Sequence, residues 1–418
     1  MPDDAPIVEI PEVVVSPSAP ADLPLPLPPP PGDYPDDEMT IEVDGKVFGG
    51  WDTVQVVRSC EQMPSSFTIS LTERYPGEAD EVVIEPGQAC KVMMGKDTVL
   101  TGYIDRYIPA LDARRHTVTI MGRSKTQDLV DCAAIFDTFQ ISGQTVGQIA
   151  VTLAGKYGIS VSLPAGEGPV VPQLNLQLGE TTWDVIERLC RFAKFLCYDD
   201  AEGNIVLRPV STERHSSGVR EGENVISAWP DYGMDQRFSE YQVYPLSVLP
   251  LMQAQDAAGG GGLPAPIGQA KDEGVKRLRR RIIILEHSGT GPIEDAARER
   301  AEWEQARRLG RSEDVTVSVD SWRDSEGRLW EPNRLADVHI PACQVKDETW
   351  IIGDVTFTRG EGGTTARLHL MNPRGFDPQY DPLFSFGWQI RQAAEEGAQR
   401  QALEAGGASR ISGTGPGV

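Results

Sequence analysis

The chain has 418 residues, 62 of them acidic and 39 basic, for a formal charge of −23. A surface that negative repels phosphate backbones and anionic lipid, which excludes a nucleic-acid reader or a membrane-surface binder. Its 39% apolar and 24% charged residues are ordinary for a globular chain of roughly three domains, and no apolar run approaches the ~18 residues of a membrane span.

The first residues, MPDDAPIVEI, lack the positive start and apolar stretch of a secretory signal. Residues 1–38 hold 12 of the 32 prolines, nine acidic residues and no Lys or Arg. That composition favours polyproline II and buries too little to fold alone, so 1–38 reads as a solvated acidic arm or one that orders on a neighbouring subunit. Residues 39–135 make the first β domain, and from Thr40 to about Met121 the apolar period is two. Ile41–Val43 and Lys46–Phe48 flank an Asp44-Gly45 hairpin turn, Ser66–Thr72 alternates cleanly, and strands follow at 88–94, 97–107 and 114–121. Short strands split by such turns predict a small β-barrel or sandwich.

The period turns helical in 136–218. Val146, Ile149, Ala150, Leu153 and Ala154 share one face, and Ile186, Leu189, Cys190 and Ala193 another, with Thr181 and Asp184 spaced as a capping box. An Ile159–Leu163 strand and a hairpin of 195–198 with 204–209 complete an α/β module. A connecting segment, 219–290, contains four consecutive glycines within a flexible loop over 253–275. A helix from Pro292 to about Leu309 leads into a second β-barrel domain, together 291–376, with i,i+4 pairs expected for Glu294/Arg298, Arg300/Glu304 and Glu304/Arg308. Residues 377–418 form a tail with a helical stretch near 389–404. The fold class is therefore mainly β (α+β): two related small β-barrel domains, an inserted α/β module, and flexible N- and C-terminal tails.

The relation between the barrels lies in a faint internal repeat. SFTISLTER leads to Glu85-Pro86-Gly87, then Lys91-Val92, the strand Asp97–Ile104, and His116–Met121; VTVSVDSW leads to Glu331-Pro332-Asn333, then Asp337-Val338, the strand Glu348–Val355, and Ala366–Leu370. Pro followed by Gly or Asn suits a tight turn, and aligning the two long strands sets Gly102 on Gly353, a residue suited to a bulge.

Chemistry-bearing residues form no catalytic pattern. His116, His215, His287, His339 and His369 are scattered without metal-ligand spacing, and the six cysteines include no C-x-x-C, which fits reduced thiols. Ser288–Gly291 imitates a phosphate loop but lacks its third Gly and its Lys-Ser/Thr, and reads as a turn. Asp199-Asp200 reads as part of a turn rather than half of an acid–base pair. No cofactor or metal is expected. One run stands out on so acidic a chain: Lys276, Arg277, Arg279, Arg280 and Arg281. It is either a solvated strand edge or an electrostatic dock for an acidic neighbour such as the N-terminal arm.

Segments in fixed order carry a family resemblance: Asp44–Trp51, SSFTISLTER, Glu85–Gly87, Thr101–Asp105, Gly122–Asp131, Leu207–Pro209, Gly222–Asn224, Arg281–Glu286, Asp324–Asn333 and Met371–Phe376. Over about 40–376 the chain resembles the Mu-like baseplate hub proteins of contractile phage tails, relatives of the hub part of type VI secretion spikes. The resemblance implies a non-enzymatic homotrimer of the virion, assembled in the host cytoplasm. Its pseudo-sixfold ring would join the hexameric tail tube, or a distal tube protein, to the trimeric central spike, with the tape measure protein a further candidate partner. DNA would be a transient passenger, and no membrane is involved. The alternatives are a glycan hydrolase or a carbohydrate-binding tail-tip module.

Overall fold

The computed structural model describes residues 38–72, 84–111, 116–245, 265–285, 293–360 and 363–378. Nearly all of the N-terminal arm, most of the Gly-rich loop, His287, the Ser288–Gly291 turn and the 389–404 helical stretch lie outside the described residues.

The chain opens on seven strands: β1 (Met39–Val43), β2 (Lys46–Phe48), β3 (Thr53–Ser59), β4 (Ser66–Thr72), β5 (Ala89–Met94), β6 (Asp97–Leu111) and β7 (His116–Ser124). Alternation builds them. Met39, Ile41 and Val43 of β1 are buried and the residues between are not, and Asp44-Gly45, both at positive φ, close the expected β1–β2 hairpin.

The α/β module follows: α1 (Gln127–Asp131), β8 (Gln140–Ile141), β9 (Gln144–Thr145), α2 (Val146–Gly155), β10 (Val161–Ser162), β11 (Val170–Val171), β12 (Leu174–Asn175), α3 (Thr182–Ala193), β13 (Leu196–Asp199) and β14 (Ile205–Arg208). Both longer helices start on capping boxes, Thr145 with Gln148 and, as the spacing predicts, Thr181 with Asp184. β13 and β14 form the expected hairpin, and β10 joins β14 in parallel. The apolar helix faces meet in a core of the module's own around Ile149, Leu153, Ile186 and Leu189.

Next come β15 (Val219–Arg220), β16 (Val225–Tyr232), β17 (Glu240–Pro245), β18 (Gly268–Lys271) and β19 (Arg280–Leu285). The chain continues with α4 (Ile293–Gly310), β20 (Glu313–Val319), β21 (Leu335–Ile340), β22 (Val345–Gly360) and β23 (Gly363–Met371). Strands β18, β17 and β19 make a small sheet whose Tyr241, Val243 and Ile283 pack on Ala297 and Ala301 of α4. Within α4, Glu304 pairs with Arg300 and Arg308 as expected, whereas Arg298 pairs with Asp295, one turn back, rather than with Glu294.

The internal repeat is present in the backbone. The order β3-β4-β7-β6-β5 recurs as β16-β20-β23-β22-β21, antiparallel at every step. The two Glu-Pro turns make the same hydrogen bonds. Gly87 N–H donates to Ile104 O (2.7 Å) and Asn333 N–H to Ile352 O (2.8 Å), while Ile104 N–H donates to Gln88 O and Ile352 N–H to Arg334 O. Gly87 (φ 92°) and Asn333 (φ 57°) both take the left-handed conformation that these residue types tolerate. The bulges also coincide, falling between Ile104 and Arg106 in β6 and between Ile352 and Asp354 in β22. The copies part at the next strand: β1 joins β5 antiparallel, β15 joins β21 in parallel.

This register corrects the sequence alignment of the long strands. Gly353 corresponds to Asp105, at the bulge, and Gly102 to Trp350. Each glycine has its own cause: a Cβ on Gly102 would lie 1.9 Å from Arg123 O, and one on Gly353 would lie 2.6 Å from the Phe376 ring. Among the described residues no strand pairing closes either copy on itself. Both copies instead belong to one thirteen-stranded sheet, joined where β3 pairs with β22, and one hydrophobic core runs through both.

Candidate functional site

The joint between the copies shows what this sheet does at its margins. β22 and β3 run antiparallel from Asp354↔Ser59 to Arg359↔Val54. Val54, Val56, Val355 and Phe357 are fully buried there, and Cys60 N–H extends the joint by donating to Gly353 O (3.0 Å). The strands corresponding to β3 and β22 are β16, which ends the sheet on one side, and β6, whose second half runs on past its pairing with β5. Among the described residues no strand pairs with the side of β16 away from β20, or with the side of the second half of β6 away from β7. These margins carry exposed apolar side chains: Ile108 and Leu111 (81% exposed) on β6, Trp229 and Tyr232 (48%) on β16. An apolar sheet edge left open is a template for another chain.

The basic run is partly consumed within the molecule. Arg279 donates to Asp235 O (2.6 Å) and lies 5.1 Å from the Phe238 ring centroid, and Arg280 pairs with Glu240 at 2.9 Å. Arg281 reaches toward Glu304 (3.9 Å), a buried carboxylate that also holds Arg300 and Arg308. Lys276 donates to the Glu273 carbonyl (3.2 Å) and, like Arg277, is exposed.

Two residues that sequence reasoning passed over couple the module to the sheet. Asp199, read as part of a turn, ends β13 and is 1% exposed. Its carboxylate accepts from Ser65 N–H (2.9 Å) and Oγ (2.7 Å), from Ser124 Oγ and from Thr126 Oγ1 (3.2 Å). Asn333 accepts from Ser211 N–H (2.9 Å) and donates to Tyr198 OH (3.2 Å), tying the second Glu-Pro turn to the module. Nothing local in the sequence marks Asp199; the repeat position of Asn333, where the first copy has Gly, is the signal that could have found it.

The titratable groups serve packing. His215 lies beside Asp324 (3.2 Å) against Trp330; burial pulls its pKa down, while hydrogen bonds, despite burial, hold Asp324 at about 2. His369 sits between Asp314 (3.5 Å) and Asp354 (3.4 Å), whose hydrogen bonds raise it to about 9. His339 pairs with Asp347. Burial pushes the thiol of Cys197, beside Cys190, well above its ordinary value, opposite to what a reactive or metal-ligating cysteine needs. Among the described residues no group of His, Cys, Asp and Glu could hold a metal ion, and no helix is long and apolar enough to cross a membrane.

Comparison with known proteins places this architecture. Residues 38–124 match the N-terminal domain of Mu phage baseplate assembly protein GpP-like proteins, 126–209 the second domain of gp44-like baseplate hub proteins, and 294–379 the fourth domain of GpP. Baseplate hub protein gp44 of Escherichia phage Mu is 29% identical over 342 residues, 81% of this chain and 88% of the relative. The 43 kDa tail protein of prophage MuSo2 from Shewanella oneidensis superposes with a TM-score of 0.72 at 28% identity, over 82% of this chain and 99% of that one. A tail protein of Neisseria meningitidis shares the fold at 18% identity, with a TM-score of 0.62 over 82% and 98% of the two chains. A duplicated β sheet with open apolar margins and a helical insert is thus the scaffold of a phage tail structural protein. More particularly, the chain belongs to the Mu-like baseplate hub family.

Proposed function

We propose that this hub is a homotrimer whose six repeated segments form a pseudo-sixfold ring, each segment curling as a small barrel. The ring joins the hexameric tail tube to the trimeric central spike at the tip of a contractile tail in the virion, and it carries no enzymatic activity. The observation that supports this reading is the matched register of the two copies, with Glu-Pro turns and bulges at equivalent positions. Two equivalent segments per chain give a ring of three chains six like faces toward the tube and threefold identity toward the spike. The formal charge of −23 suits a conduit, because a negative wall releases no counterions to passing DNA and does not hold it.

The basic run is proposed as the contact for an acidic neighbour, the N-terminal arm of another copy included. Lys276 and Arg277 are the pair to reverse, since reversing Arg279 or Arg281 also breaks contacts inside the chain. Weakened assembly of Lys276→Glu/Arg277→Glu supports the dock, and unchanged assembly removes it. The ring itself is tested by light scattering and axial electron-microscope views of the full chain. A mass near three times 45.6 kDa with six peripheral lobes is expected. A monodisperse monomer, or a ring with three lobes only, overturns the proposal.

A further inference from the structure

We infer that the cavity around Arg58 binds a single carboxylate group, held by the Arg58 guanidinium and the Tyr198 hydroxyl, within one chain and independently of the ring proposed above. Alternation places the arginine. Along β3 the buried face carries Val54, Val56 and then Arg58, which is 6% exposed and opposed to buried Val355. Its Nε is enclosed without a hydrogen-bond partner, and among the described residues no carboxylate pairs with its guanidinium. A guanidinium does not shed its proton to escape burial, so an uncompensated one this deep calls for an anion. The other arginines on the same cavity wall already have one: Arg208 pairs with Glu213 (3.1 Å), Arg328 with Glu326 (3.0 Å) and Arg334 with Glu331 (2.5 Å).

The cavity, about 570 Å³, lies between the sheet, the second Glu-Pro turn and the α/β module. Tyr198 lines it and is 8% exposed. Its hydroxyl accepts from Asn333 Nδ2 (3.2 Å), while among the described residues nothing accepts its own proton. Burial raises the Tyr198 pKa, and Asn333, Arg208 and Arg58 oppose the rise, so both positive charges act on this hydroxyl. One charged and one neutral donor suit a planar oxyanion. The rest of the wall sets its charge: Asp200, Glu202, Glu213 and Glu331 also line the cavity, and they repel a second negative charge. A carboxylate is therefore favoured over a phosphate dianion. Bound there it bridges β3 to β13, sheet to module, as the Asp199 carboxylate does from within the chain. Solution is one source of the group, and the chain is another. Asp36 and Asp37 directly precede Glu38, whose carbonyl accepts from Gly95 N–H (2.8 Å), and Asp97, two residues further on, lies on the cavity wall.

The test uses the full chain, with isotope-labelled acetate as probe. Binding is read by NMR line broadening and by thermal melts in acetate against chloride at equal ionic strength, since a ligand of the folded state alone raises the melting point. If the carboxylate comes from solution, wild type broadens the acetate signal and melts higher in acetate. If it comes from the chain, wild type is inert and Asp36→Asn/Asp37→Asn responds instead, because its site has been vacated. In whichever background responds, Arg58→Met abolishes binding and Tyr198→Phe weakens it about fivefold, the worth of one ordinary hydrogen bond. Tyr198→Phe keeps the ring and carries the test by itself should Arg58→Met fail to fold. Phosphate, a dianion at about pH 8, binds at least about tenfold more weakly than acetate. Acetate binding in neither background, or binding that both cavity variants leave unchanged, overturns the site. Phosphate binding as tightly as acetate overturns the assignment of a carboxylate.

Discussion

His369 and Asp199 show how single polar residues hold a mostly apolar molecule in register. With Asp314 and Asp354 on either side, the pKa of His369 rises from 6.5 to about 9, so the folded state binds the proton more tightly than the unfolded chain. The stabilisation is fully present below pH 6.5 and is lost as pH rises through 9; urea melts should show wild type losing at most ~3 kcal/mol across that window, and His369→Gln losing little. Equal slopes for both proteins would remove the cation from the account. Asp199→Ala strips the partners from four hydrogen bonds at a buried site. A cost of ~3 kcal/mol or more is expected in the same melts, because unpaired buried donors carry their full desolvation penalty. Neither site was legible in the sequence. The carboxylate and its four donors come from three segments up to 134 residues apart, and local pattern carries no trace of such a meeting.

At the scale of elements the sequence was far more informative, since strand alternation and helix capping are local. The β1–β2 hairpin, both module helices, the β13–β14 hairpin and α4 all lie where period and turn chemistry place them. Register is where the local signal ran out. A three-residue slip set Gly102 on Gly353, because consecutive buried residues (Val99 and Leu100 on one strand, Trp350 to Ile352 on the other) blur the alternation that would reject an odd slip, and only the backbone bonds of the Glu-Pro turns fix which residues correspond. The two glycines consequently differ in what they tolerate. Gly102→Ala drives a methyl into the Arg123 backbone, which cannot yield, and should cost ~3 kcal/mol or prevent folding; Gly353→Ala meets the edge of the Phe376 ring, which can turn, and should cost ~1–2 kcal/mol. Thermal melts in which Gly353→Ala is the worse of the two would show that the Phe376 side of the bulge is the rigid one.

For the whole molecule, charge and edge chemistry pull assembly in opposite directions. Each copy brings a formal net charge of −23, so bringing copies together costs long-range repulsion. The open sheet margins offer Ala228, Pro230 and Tyr232 on one side and Tyr107, Pro109 and Leu111 on the other, and burying them against a neighbour would gain free energy that salt does not screen. Screening therefore removes the opposing force and leaves the favourable one intact. Raising salt from ~0.02 to ~0.3 M, which shortens the Debye length from ~20 Å to below 8 Å, should tighten self-association of the full chain by several-fold in sedimentation equilibrium. A ring held chiefly by the basic run against acidic arms would loosen over the same range. The sign of the salt dependence thus decides which surface carries the assembly, and Leu111→Asp, which adds repulsion at the edge itself, should weaken association at every salt concentration.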